Sequence, residues 1–175
     1  MSILKVSRLG NPVLRRQSEH LTQKQLEDPA TQTLIDNMIV TMVEYHGVGL
    51  AAPQVHESLC LAVIESKGPR GEIPLTVLVN PEVKVLDQEM IEDWEGCLSI
   101  PELRGRVPRY RKLQVDALDR HGKKISFVAE DFFARVVQHE FDHILGHVYL
   151  DRMRNFETLT YMDEFQRFWL PQPNS

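Results

Sequence analysis

The stretch that begins at Asp28 reads D-P-A-T, a helix N-cap followed by proline at the first helical position. Leu34, Ile35, Met38, Ile39, Met42 and Val43 then recur at the spacing of one helical face, and Gly47 supplies a stop. The middle of the chain has a different period. Short β-prone runs at 59–64 (LCLAVI), 75–80 (LTVLVN), 82–87 (EVKVLD), 89–99 (EMIEDWEGCLS), 113–119 (LQVDALD) and 124–129 (KISFVA) are separated by glycine, proline or charged turns, as antiparallel strands are. From about Glu130 the helical period returns with Phe132, Phe133, Val136, Val137 and Ile144, ending near Gly146. A shorter helix is expected over 158–169, before the polar tail PQPNS. The pattern predicts an α+β fold of mainly antiparallel strands packed around a central helix, with a long N-terminal helix and a short C-terminal one.

A length of 175 residues suits one substantial core, so a single domain over 1–175 is expected. With 42% apolar and 26% charged residues the composition is that of an ordinary globular protein. A formal charge of -5 leaves no basic excess to neutralise phosphates, which argues against DNA binding despite the local run RGRVPRYRK at 104–112. The N-terminus lacks the apolar run of a secretory signal and no window approaches a membrane span, so a cytoplasmic protein with no membrane partner is expected. Of the two cysteines, Cys60 lies in the apolar run LCLAVI and reads as a small buried hydrophobe. Cys97, between Gly96 and Leu98 in WEGCLSIP, sits in a more polar setting.

The segment QHEFDH at 138–143 contains H-E-x-x-H. Residues four apart share a helix face, so His139 and His143 can converge on one ion, with Glu140 beside them to polarise a water. The question is the third ligand. His147 continues the row, but about 12 Å of helix rise separates it from His139, too far for one ion; a helix-end histidine meeting free carbonyls is expected instead. The longer pattern H-E-x-x-H-x-x-G-x-x-H fails, because its last histidine falls on Tyr149. Glu164 stands where a zinc peptidase of gluzincin type takes a glutamate from a following helix. Cys97 is the other candidate: Gly96 permits a close backbone approach that turns the thiol into a site. Two imidazoles, one thiolate and one water make a four-coordinate catalytic site, and thiolate donation suits borderline ions such as iron(II). A structural or regulatory metal module would use the same ligands without needing Glu140 or Gln54.

Three segments read together, GVGLAAPQ at 47–54, EGCLS at 95–99 and QHEFDH at 138–143, resemble the three signature motifs of the peptide deformylase family, in the family's order. The resemblance implies removal of the formyl group from N-terminal formylmethionine of nascent polypeptides, releasing formate. It implies Cys97, His139 and His143 as metal ligands, Glu140 as the carboxylate that moves the proton, and the Gln54 amide with the Leu98 backbone N–H as oxyanion donors. Val48, Gly49, Gly96, Arg104, Phe132 and Val136 would meet the substrate, Gly47 with Gly49 letting an extended peptide lie beside the backbone. Asp142 would steady a ligating histidine or pair with Arg109, and Glu95 would anchor its loop. One divalent ion is implied, Fe(II) first, with Zn, Ni or Co accepted by the same ligands. The implied partners are the formylated polypeptide and, transiently, the ribosome, with the protein acting as a monomer.

Overall fold

The structure, a computed structural model, describes residues 2–170, so the PQPNS tail lies outside the described residues. Four α-helices, α1 (Gln23–Glu27), α2 (Pro29–Glu44), α3 (Asp131–Ile144) and α4 (Met162–Phe168), accompany six strands. The strands are β1 (Gly49–Ala51), β2 (Leu61–Gly68), β3 (Gly71–Cys97), β4 (Ile100–Leu118), β5 (Lys124–Glu130) and β6 (Thr160–Tyr161). β1 to β5 form one antiparallel sheet in chain order, and β6 pairs with the start of β4 through Leu103–Tyr161 and Arg104–Thr160. No helix among the described residues is long and apolar enough to cross a membrane.

LCLAVI is apolar throughout because both faces of β2 are covered. Successive strand side chains point to opposite faces. Leu61 and Val63 therefore enter a core built with Ile35, Met38 and Met42 of α2, while Ile64 enters a second core with Val136 and Val137 of α3. Val77 and Val79 of β3 follow the first core and Leu78 the second. Burying two such side chains contributes several kcal/mol, at about 1.5–3 kcal/mol each.

The strands differ from the sequence expectation in extent. The runs at 75–80, 82–87 and 89–99 are one 27-residue ribbon, with register shifts at Val79/Glu82, Val85/Asp87 and Asp87/Met90. The polar breaks that read as turns are bulges, which bend a strand without ending it. β4 was not expected at all over 100–112. Its buried positions there alternate as Gly105, Val107 and Arg109, and a buried arginine in an apolar slot hides the period.

Helix α2 starts at its predicted cap, where the Asp28 side chain accepts from the Ala30 N–H at 2.8 Å. It stops at Glu44, ahead of Gly47, and Val43, expected on the buried face, is largely exposed. The final helix is shorter than expected because its first residues pair as β6.

Helix α3 ends where predicted. Leu145 caps it, and Gly146 turns left-handed at φ +81°, its N–H donating to the His143 carbonyl at 3.2 Å. A Cβ on Gly146 would lie 2.9 Å from the Arg15 carbonyl carbon. Both the backbone conformation and the rigid neighbour oppose any side chain. Gly146→Ala is expected to destabilise the fold by about 1–3 kcal/mol; an unchanged urea midpoint would show that neither constraint matters.

Candidate metal centre

Three elements bring the site together. Helix α3 carries His139, Glu140 and His143, the last residues of β3 carry Glu95, Gly96 and Cys97, and a 3₁₀ turn at Ala52–Val55 carries Gln54. One potential ligand atom from each of Cys97, His139 and His143 lies within 4.8 Å of the others. Cys97 Sγ is 3.2 Å from His143 Nε2. Glu164, the competing third ligand, is exposed on α4 and joins no such cluster.

The donor chemistry fits a cation. Nδ1 of His139 lies 2.9 Å from Glu95 Oε2. A carboxylate there accepts a hydrogen bond from Nδ1–H, which keeps the proton on that nitrogen and leaves Nε2 free to donate its lone pair to an ion. Burial would raise the Cys97 thiol, but the facing imidazoles of His143 and His139 outweigh it and hold the thiol well below its ordinary range. Burial would lower His139, yet Cys97 and Glu95 hold it well above the usual histidine value. Thiolate character and positive charge are thus drawn to the same small volume, the situation a divalent ion satisfies.

Glu140 is buried, and its Oε2 has no hydrogen-bond partner within the protein. Burial, the largest influence, pushes its carboxyl up to about 7, against the lowering effect of the two histidines. A cation beside it would lower it from there. The carboxylate can lie so close only because Gly49 has no side chain: a Cβ there would fall 2.2 Å from Glu140 Oε1.

Gln54 is held by both ends of its amide. Oε1 accepts from the Ala51 N–H at 2.9 Å, and Nε2 donates to Ser99 Oγ at 3.2 Å and towards Cys97 Sγ at 3.5 Å. This aims a donor at the centre. Gly47 brackets Leu98, since a Cβ there would meet Leu98 Cδ1 at 3.1 Å. Arg104 lies over Gly96, where a Cβ would fall 1.2 Å from its Nη1.

The remaining predicted residues are more dispersed. Val136 is buried in the second core one turn before Glu140, and Phe132 sits at that core's edge beneath Arg70, whose Cζ is 4.3 Å from the ring centroid. Val48 is partly exposed just ahead of β1. His147 departs from expectation: its backbone N–H, not its ring, reaches the Asp142 carbonyl at 2.8 Å, and its Nδ1 is 3.8 Å from Asp151.

Behind the donors lies a buried ionic network. Glu95 accepts from Arg109 Nε at 2.9 Å and Nη2 at 3.0 Å, and from Arg135 Nη1 at 2.8 Å. Burial would raise the Glu95 carboxyl, but His139 and Arg109 together hold it well below the usual carboxylate range. Asp142 serves no histidine; it accepts from Arg109 Nη1 at 2.6 Å and Arg152 Nη2 at 2.6 Å. The sequence reasoning missed Arg135, Arg152 and Ser99. Arg135 had a signal, because it lies one helical turn before His139 on the same face.

With this geometry in view, the comparisons agree. Residues 3–158 match the family described as polypeptide deformylase. The chain is 39% identical over 170 residues to peptide deformylase 2 of Nostoc sp., covering 94% of this chain and 93% of that protein. It is 40% identical over 163 residues to peptide deformylase 1 of Bordetella pertussis, covering 90% of this chain and 92% of that protein. A Met-Ala-Ser-bound crystal structure of class I type b peptide deformylase from Acinetobacter baumannii superposes with TM-score 0.83 at 36% identity, covering 86% of this chain and 98% of that one. A peptide deformylase from Thermotoga maritima gives TM-score 0.80 at 34% identity, covering 87% and 99%. Sequence, fold and the convergence of the three motifs therefore place the chain in the peptide deformylase family, the hydrolases that remove N-formyl groups.

Proposed function

We propose that Cys97, His139 and His143 hold one divalent ion, Fe(II) by preference, and that Glu140, Gln54 and Leu98 carry out hydrolysis of the formyl group on formylmethionyl peptides. The observation that carries this reading is the convergence of a thiol and two imidazoles within 4.8 Å beside a buried carboxylate and an aimed amide. When bound, the ion supplies a Lewis acid beside the formyl group and eases deprotonation of a water there.

The rest is work for the chain. Glu140 takes a proton from the attacking water and delivers it to the leaving amine, so water and formamide become formate and a free N-terminus. The Gln54 Nε2–H and the Leu98 backbone N–H donate to the charge that develops on the formyl oxygen. Gly49 and Val48 offer a strand edge to the peptide backbone, Gly96 leaves it room, and Arg104 donates to it. Phe132 and Val136 border the methionine side chain. The three motifs act within one domain spanning 1–175, organised around the helix that carries His139 and His143. The protein works as a cytoplasmic monomer on nascent chains, meeting the ribosome transiently and requiring neither membrane nor DNA.

The direct test is formate release from formyl-Met-Ala-Ser under anaerobic conditions with iron(II) supplied. Formate and free amine should appear in equal amounts, and Glu140→Ala should lower kcat by at least about 100-fold, the scale of positioned acid–base catalysis. Full activity in that variant would remove Glu140 from the reaction.

Ligand identity is tested by metal content. Cys97→Ser should lose stoichiometric metal after dialysis while Glu164→Gln retains it; the reverse pattern would restore the gluzincin alternative.

Glu95→Gln removes the charge that fixes the His139 tautomer, so metal affinity should fall about 10–100-fold. Competition with a chromophoric chelator measures this. Wild-type affinity would mean that the ring is oriented by packing alone.

A further inference from the structure

The β3–β4 hairpin continues away from Cys97 along a surface that the reaction centre does not use. Side chains alternate along a strand, so Trp94 and Gly96 share one face of β3 while Glu95 and Cys97 share the other. Trp94 pairs with Arg106 and Glu95 with Gly105. Arg104 and Arg106 therefore lie on the Trp94 side. Arg104 is half-buried over Gly96, and its side chain makes no hydrogen bond or ion pair among the described residues.

Two residues along β3 from Gly96, about 7 Å away, an aromatic wall begins. Trp94 meets Phe165 of α4 edge-on with ring centroids 4.8 Å apart, and Trp169 at 5.1 Å. Trp169 nonetheless keeps 48% of its surface exposed. The wall is anchored to the site, because Thr160, just ahead of α4, pairs with Arg104.

We propose that Trp94 and Trp169 form an extended subsite for an aromatic or large apolar side chain of the formylated peptide, downstream of the residue whose backbone meets Arg104. This rests on the deformylase reading. Continuity identifies the occupant: a peptide with its N-terminus at Cys97 and its backbone passing Gly96 and Arg104 meets this wall next. An extended chain advances about 3.3 Å per residue, so two further residues span the gap. A tripeptide ends short of the wall, and a hexapeptide reaches it. The exposed edge of Trp169 suits an aromatic ring in offset or edge-to-face contact.

The test compares kcat/KM for formyl-Met-Ala-Ser-Phe-Phe-Ala with that for formyl-Met-Ala-Ser-Ala-Ala-Ala. The phenylalanine peptide should be favoured about threefold to tenfold, through KM. In Trp169→Ala the ratio should fall towards one, and Trp169→Phe should restore part of it. Equal values for the two hexapeptides in the unmodified protein would overturn the subsite, as would a preference that survives Trp169→Ala. Formate release from formyl-Met-Ala-Ser separates the two levels: activity on it without hexapeptide discrimination removes the subsite alone, and no activity on any of the three peptides removes both. An independent readout exists because the chain has 2 tryptophans and both belong to the wall. The deformylated product Met-Ala-Ser-Phe-Phe-Ala should shift tryptophan emission saturably in the metal-loaded protein, and Met-Ala-Ser should not; identical spectra with both peptides would also overturn it.

Discussion

The buried Glu95 carboxylate is the constraint on which the site depends. It sits among Arg109, Arg135 and His139, with both oxygens engaged and its side chain only 4% exposed. Desolvating that many charges is costly, and the arrangement holds only because each charge faces a partner in good geometry. Removing one member strands the others, so the network behaves as a unit. Its structural effect is to tie the end of β3, which carries the buried Cys97, and the middle of β4 to helix α3. His139 inherits its tautomer and ring orientation from that tie.

Space complements charge. Glu140 and Arg104 occupy their positions because Gly49 and Gly96 have no side chains, a Cβ on either overlapping the polar atoms beside it. One of the two glycines lies on β1 beside Glu140 and the other at the end of β3 beneath Arg104. They set how closely the Glu140 carboxylate and the Arg104 guanidinium can approach backbone. On the proposed reading, a peptide lying along those backbones would meet both groups without intervening side chains, which is what close positioning requires.

The legibility of the chain follows the same division. The grouping of His139, His143 and Cys97 was readable because side chains able to bind an ion belong to few residue types and helical spacing converts sequence into geometry. The cores of α2, β2 and α3 were readable because apolar periodicity reports burial. Arg109 and Arg135 were harder to place, since an arginine is ordinarily at the surface, and only their tertiary partners, Glu95 for both and Asp142 for Arg109, make the burial tolerable. Arg109 also explains the missed strand: it continues the buried alternation of Gly105 and Val107, but a charged side chain in that register hides the apolar period. Helix α1 escaped periodicity because it is 5 residues long, although Thr22 and Gln25 form a capping box that the sequence displays. Nothing local marks a bulge as distinct from a turn, which is why β3 read as separate strands.

The electrostatics of the centre follow from how the network is filled. Arg109, Arg135 and Arg152 face Glu95 and Asp142, so guanidinium groups outnumber carboxylates by one behind the ligands. That excess favours anions at the centre; burial would raise the Cys97 thiol itself, and the facing imidazoles of His143 and His139 lower it. A positive background would by itself disfavour a cation. The Cys97 thiolate, joined by Glu140 once a cation lowers its carboxyl, reverses the balance within the few ångströms where an ion would lie, since Coulomb energy falls with distance and the nearest charges dominate. The same layering suits hydrolysis of an uncharged amide. In the proposed reaction a ground-state substrate would feel little of the field, whereas an oxyanion facing Gln54 and the positive layer beyond it would be stabilised, which concentrates the effect on the transition state.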